Sequence, residues 1–174
     1  MLTRFIPDIY QKSIYTIDYK KLKNRGIKCI LLDVDNTLAP LHYQKPTKKM
    51  RDLIEKIKEL GIKVILLSNA SKKRLKPFKE KLELDCAYLA MKPCSFKYRK
   101  ILKEYGFQIN EVACIGDQLF TDILGGNYIG ITTILVNPIG IKEHFFTKVN
   151  RFLERLIIKR AMRKNMFKKG EYYD

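Results

Sequence analysis

No apolar run in this chain reaches the roughly 18 residues that a membrane-spanning helix needs, and the amino terminus has no short apolar stretch leading to a small-residue cleavage site. Both absences point to a cytoplasmic protein. Paired cysteines are missing too. Cys29, Cys86, Cys94 and Cys114 are scattered, with no two spaced as a zinc or redox pair. Three of them lie in or beside apolar runs, where cysteine acts as a small buried hydrophobe; Cys94, just after Lys92, is the exception. The only histidines are His42 and His144, and neither sits in a pairing that would activate a thiol, so cysteine catalysis is set aside. Acid is also in short supply. Eighteen Asp and Glu face 35 Lys and Arg, a formal charge of +17, and such a field attracts polyanions. Anionic lipid, nucleic acid and phosphorylated small molecules all belong to that class. No recognised nucleic-acid module, such as paired aromatic stacking positions in a sheet, is present.

What the chain does have is a recurring unit. Gly26-Ile27-Lys28 leads into the apolar run Cys29-Ile30-Leu31-Leu32, and Gly61-Ile62-Lys63 leads into Val64-Ile65-Leu66-Leu67. Gly106 and Gly130 likewise precede the runs at 112–115 and 132–136. Each glycine fits a helix C-terminal cap and each short continuous run fits a strand buried on both faces. Between the runs, Met50, Leu53, Ile54, Ile57 and Leu60 fall on one helical face. Residues 72–82, 96–105 and 119–128 read as further helices, the first interrupted at Pro77. A strand near 86–89 brings the count to five. Strands alternating with helices imply an α/β fold, a parallel sheet between two helical layers. At 174 residues and 46% apolar composition, one domain is the expectation.

In open sheets of this kind, ligands bind beyond the carboxyl ends of the strands, where neighbouring connections leave to opposite faces. The polar residues there are Asp33-Val34-Asp35, Ser68-Asn69, Lys92 and Asp117, with Asp122 five residues further on. Asp33 and Asp35, two residues apart on extended chain, face the same side. Two carboxylates so close push one member's pKa up, which suits it to hold and release a proton. Asp33, Asp117, Asp122 and the Asp35 carbonyl are hard oxygen donors of the kind magnesium prefers. Lys92 adds fixed positive charge, and Ser68 with the following amides, Asn69 among them, can donate to phosphate oxygens.

In this order the segments resemble the four motifs of the haloacid dehalogenase superfamily: Asp33-Val34-Asp35-Asn36-Thr37-Leu38, Ser68-Asn69, Lys92-Pro93, and Gly116-Asp117 through Asp122. The resemblance implies a three-layer phosphatase fold in which Asp33 attacks phosphorus and Asp35 is acid and then base. It also implies that Ser68, Asn69 and Lys92 hold the phosphoryl group, and that Mg2+ sits on Asp33, Asp35, Asp117 and Asp122. Cap domains of that superfamily enter after the first motif or between the second and third, and here neither gap is long enough for one. Beyond the motifs, Ile6-Pro7-Asp8, Tyr10, Ser13-Ile14, residues 22–26 and the run Gly116-Asp117-Gln118-Leu119-Phe120-Thr121-Asp122-Ile123-Leu124-Gly125-Gly126-Asn127 resemble the YqeG family of uncapped phosphatases. Relatives of that family include the mitochondrial phosphatidylglycerophosphate phosphatase, so a lipid phosphomonoester is one implied substrate.

The expected organisation is a helical extension over 1–27, the phosphatase core over 28–140 and a basic amphipathic helix over 141–174. In the last, Val149, Phe152, Leu153, Leu156, Ile157 and Ala161 recur at helical spacing, and Arg151, Arg155, Lys159 and Arg163 form a basic stripe. Such a helix, over 147–169, can lie on an anionic bilayer or pack on the domain. Tyr10, Ile14 and Ile17 either cover the sheet or line the substrate path. Three functions stay open: a lipid phosphatase at the inner face of a membrane; a phosphatase for soluble nucleotides, sugars or nucleic-acid ends; and a non-catalytic phosphate-sensing assembly factor, against which an intact Asp33 and Asp35 argue.

Overall fold

The structure is a computed structural model that describes residues 2–140 and 145–174, with the backbone alone for 145–149. His144 and the Val149 side chain therefore lie outside the described residues. Six strands form one wholly parallel sheet: β1 (Ile9–Gln11), β2 (Cys29–Leu32), β3 (Lys63–Leu67), β4 (Asp85–Ala87), β5 (Val112–Gly116) and β6 (Thr132–Val136), in the order β1-β6-β5-β2-β3-β4. The expected count of five falls one short because Ile9–Gln11 pairs with β6, Tyr10 opposite Leu135. The segment before residue 28 is thus part strand, and Ile14 and Ile17 pack into the core rather than along a substrate path.

The helices are α1 (Tyr19–Asn24), α2 (Lys48–Glu59), α3 (Lys72–Leu82), α4 (Phe96–Tyr105), α5 (Leu124–Ile129) and α6 (Phe145–Arg163). Alternation along β2 decides the layering. Ile30 and Leu32 join Met50, Ile54 and Ile57 of α2 and Leu75, Phe78 and Leu82 of α3 in one core. Cys29 and Leu31 point the other way, into a core with Tyr98 and Ile101 of α4 and Ile129 of α5. Helices on both faces leave no free face to the central strands, which explains their unbroken apolar composition. The third core joins Tyr10, Leu119, Ile123 and Leu135 to Ala161 of α6 and Phe167.

Two local expectations need correction. Helix α3 runs through Pro77 without interruption, because Leu75, Phe78 and Leu82 are all buried and that apolar anchorage outweighs one lost backbone hydrogen bond. Strand β4 ends at Ala87, not 89, since Leu89 turns into the left-handed region at φ 47, a conformation no strand contains. No insertion follows β2 or β3 beyond a loop and the next helix, so no cap is evident. No helix among the described residues is long and apolar enough to cross a membrane.

Helix α6 divides its apolar residues between two sides. Ile157, Ile158 and Ala161 pack on the domain, while Phe152, Leu153 and Leu156 are exposed together with Arg155, Lys159, Arg160 and Arg163. Arg151, read from the sequence as part of the basic stripe, turns inward instead.

The continuity of α3 predicts that Phe78→Ala, which empties a fully buried site, costs about 3–5 kcal/mol, whereas Lys76→Ala on the same helix changes stability by no more than about 0.5 kcal/mol. Urea unfolding of both variants checks the contrast. Equal midpoints would show that the helix is not anchored beyond its proline.

Candidate active site

The sheet order places β2 between β3 and β5, the point where connections diverge to opposite edges. Leu32 is in register with Leu66 on one side and Ile115 on the other. The residues just past these three strand ends, Asp33, Ser68 and Asp117, therefore emerge at nearly one level. Asp33 extends the ladder by donating its N–H to the Ile115 carbonyl at 3.0 Å. The chain then folds back sharply. The Val34 carbonyl accepts from the N–H groups of Thr37, Leu38 and Ala39 at 3.3, 3.0 and 2.9 Å. Asn36 takes φ 64 to close that turn, a left-handed conformation that asparagine tolerates better than most residues.

Lys92 arrives from the far side of β3. Asn69 clamps its main chain at both ends, accepting from Lys92 N–H at 2.7 Å and donating to the Lys92 carbonyl at 3.2 Å. Asn69, expected at the phosphate, thus has its side chain committed to positioning Lys92. Ser68 is buried, and its Oγ accepts from Ala70 N–H at 3.2 Å. So held, Lys92 Nζ donates to Asp33 Oδ1 at 2.7 Å and to Asp122 Oδ1 at 2.6 Å. All three are almost fully buried.

Asp122 lies in a π-helical turn, Leu119–Ile123, that winds straight into α5. Its Oδ2 accepts from Gln118 N–H at 3.2 Å and Thr121 Oγ1 at 3.1 Å. A Cβ at Gly116 would land on the Asp122 carboxyl group, so the glycine ending β5 is what lets this acid sit under the cluster. Asp117 receives Thr37 Oγ1 on Oδ1 at 3.1 Å. Its Oδ2 and its carbonyl both accept from Arg151, the latter at 2.6 Å.

Arg151, expected in the basic stripe of the terminal helix, and Glu154, which the sequence did not single out, both reach this cluster. Both come from α6, and Glu154 caps the π turn by accepting from the N–H groups of Leu119 at 2.6 Å and Phe120 at 3.4 Å. They also pair with each other at 2.9 Å. The available signal was Glu154 itself, the single acid in the sequence of α6. The Asp35 carboxyl group is turned to the guanidinium of Arg74, whose Nη2 donates to its Oδ1 at 2.8 Å.

Comparison with known proteins decides the family. A profile described as mitochondrial PGP phosphatase matches residues 2–140. The chain belongs to the PGP phosphatase family. Within it, the chain is 39% identical over 160 residues to the protein named "Probable phosphatase YqeG" of Bacillus subtilis, 92% of this chain and 93% of that one. It is 27% identical to the chloroplastic/mitochondrial phosphatidylglycerophosphate phosphatase 1 of Arabidopsis thaliana over 171 residues, 92% of this chain but 49% of that protein. The fold matches the cobalt-bound deoxy-D-mannose-octulosonate 8-phosphate phosphatase of Haemophilus influenzae at TM-score 0.53 and 18% identity, covering 85% of this chain and 96% of that one. It also matches the Moraxella catarrhalis enzyme crystallised with magnesium, phosphate and KDO, at TM-score 0.52 and 17% identity over 81% and 90% of the two chains. This member of the PGP phosphatase family is therefore a haloacid dehalogenase-type phosphatase, a phosphoric monoester hydrolase.

The charges gathered at the site bear on its fit to a metal ion. Among the described residues, the buried acids Asp33, Asp117, Asp122 and Glu154 face two cations, Lys92 and Arg151. The acids outnumber the cations, an imbalance that a bound cation would relieve. The shortage shows in the acids themselves. Burial, with the negative charges of Asp122 and Asp35, pushes Asp33 up to about 6 despite Lys92. Burial, with Asp33 and Asp122, pushes Asp117 up to about 8 despite Arg151. Lys92 is raised even though burial opposes its charge, because Asp122 and Asp33 hold its proton. No three acidic or soft side chains among the described residues form a ready-made cage. The set fits an ion that takes two carboxylates, a main-chain carbonyl, water and phosphate, which is magnesium's habit.

Lys92 is the cation that both Asp33 and Asp122 share, so Lys92→Met leaves two buried carboxylates uncompensated. The expected loss is about 3–5 kcal/mol of unfolding free energy, the range for breaking a buried pair, measured by urea titration in a chelator. An unchanged midpoint would show that the carboxylates do not depend on it.

Proposed function

We propose that this phosphatase is magnesium-dependent, works through an aspartyl-phosphate on Asp33, and acts on phosphatidylglycerophosphate at a membrane surface. The observation that carries the mechanism is the meeting of Asp33, Lys92, Asp122 and Asp117 in one buried cluster at the ends of β2 and β5. Asp33 forms a bond to phosphorus as the bond from phosphorus to the leaving oxygen breaks, and Asp35 gives that oxygen its proton. In the second half Asp35 takes a proton from water, whose oxygen attacks phosphorus and releases Asp33 and inorganic phosphate. Both halves use one acid in alternate protonation states. Lys92 and the donors around Ser68 stabilise charge on the phosphoryl oxygens. Asp33, Asp117 and the Asp35 carbonyl would hold the magnesium, with Asp122 supporting through Lys92 or water; when bound, the ion supplies positive charge to the phosphoryl group.

The lipid substrate rests on three supports. The family description and the Arabidopsis relative carry that substrate in their names. Among the described residues no cap covers the site, so a headgroup presented on a surface can reach it. Apolar side chains also stand exposed, Leu89 and Met91 just before Lys92, then Phe96, and on α6 Phe152, Leu153 and Leu156 beside Arg155, Lys159 and Arg160. Apolar residues ringed by Lys and Arg suit an anionic lipid surface, where each nearby cation contributes roughly 1 kcal/mol. In this reading the protein is cytoplasmic and associates peripherally.

Phosphate release from vesicles carrying phosphatidylglycerophosphate tests the proposal. With magnesium, release is expected from wild type and none above background from Asp33→Asn. Turnover of soluble esters with no release from the lipid would contradict the substrate assignment, and release by Asp33→Asn would contradict the mechanism.

A further inference from the structure

Arg74 is the third residue of α3, one turn past Ser71, whose Oγ accepts from Arg74 N–H at 3.4 Å. The cap places the start of α3 at the crevice, directly after the strand end that carries Ser68. From there the side chain reaches across to the loop after β2. Nε and Nη2 both donate to Asp35 Oδ1, at 3.0 and 2.8 Å, and Nη1 donates to the main-chain carbonyl of Tyr43. The guanidinium lies over the Phe78 ring, 4.9 Å from its centroid, and is only 15% exposed. Three anchors and a ring fix its plane.

The pairing is lopsided. A guanidinium fork and a carboxylate ordinarily match one N–H to each oxygen, whereas here two N–H groups converge on Oδ1 and neither reaches Oδ2. We propose that Arg74 is a positioning residue for Asp35: by holding Oδ1 with two N–H groups, it fixes the carboxyl plane and leaves Oδ2 as the oxygen that meets the leaving group. This rests on the reading of Asp35 as the general acid. In the first half the Oδ2 proton passes to the departing oxygen as its bond to phosphorus breaks and the bond from Asp33 to phosphorus forms. In the second half the attacking water returns a proton to the same oxygen. A purely structural role, tying the Tyr43 loop to α3, would involve no such preference.

The leaving group separates the two roles. An alkoxide needs a proton to depart, whereas p-nitrophenolate leaves readily without one. The value kcat/KM reports the steps up to the first departure, so the measure is the ratio of kcat/KM for an alkyl ester to that for p-nitrophenyl phosphate, with magnesium. The alkyl ester is whichever of phosphatidylglycerophosphate and glycerol phosphate wild type turns over faster. Both substrates are assayed on one preparation, so any inactive fraction cancels. General acid catalysis contributes about 10²–10⁴-fold, so Asp35→Asn should lower the ratio by about 100-fold or more, Arg74→Ala by at least about 10-fold, and Arg74→Lys by an intermediate amount because one ammonium cannot reproduce the fork. A ratio unchanged in Arg74→Ala and Arg74→Lys, or both substrates falling by the same factor, overturns the proposal while Asp35 keeps its role. A ratio unchanged in Asp35→Asn overturns the acid assignment itself and the proposal with it. If Arg74→Ala does not fold, Arg74→Lys decides by the same ratio.

Discussion

The shared ammonium of Lys92, wedged between the carboxylates of Asp33 and Asp122, is the interaction around which the rest of the site is arranged. Isolated buried charges are expensive, and burying an acid without compensation would shift it to the neutral form. Lys92 limits that shift at Asp33 and Arg151 limits it at Asp117. Asn69 fixes the Lys92 main chain from both sides, the absence of a side chain at Gly116 makes room for Asp122, and Arg151 reaches in from α6 to meet Asp117. Even so, among the described residues the acids of this cluster outnumber its cations.

The fold makes this arrangement possible through a single topological fact. Because β2 is flanked by β3 and β5 rather than by its neighbours in sequence order on both sides, three strand ends that are far apart in the chain open at one level. The loops and helix starts that follow are free to differ, and they do: a tight turn after Asp33, a capped helix after Ser68, a π turn after Asp117. The candidate site is built on those three departures from regular strand, held by one parallel sheet.

Much of this was legible in the sequence. Continuous apolar runs after helix-capping glycines identify central parallel strands, and Asp33, Ser68, Lys92 and Asp117 stand out because polar residues ending such runs must face the crevice. The sixth strand was not legible because Ile9–Gln11 is three residues long, too short for any period to show. The side of α6 that meets the domain was equally hidden. Its apolar residues wrap more than one face, so periodicity alone does not tell which of them pack, and the burial of Glu154 with Arg151 depends on partners more than 30 residues away. Arg74 likewise reads as one more cation in a basic helix until the loop carrying Asp35 is brought beside it. Patterns along the chain report strands and strand ends; which charges meet across loops is decided by tertiary contact.

The central claim is that the surplus negative charge around Asp33 and Asp117 is the seat of one divalent ion. Isothermal titration of metal-free protein with magnesium, repeated on Asp117→Asn, tests it most directly. The account predicts one ion per chain for wild type and a loss of affinity of at least about 10-fold in the variant, as expected when a ligand is neutralised. Absence of binding by wild type, or equal affinity in the variant, would contradict it.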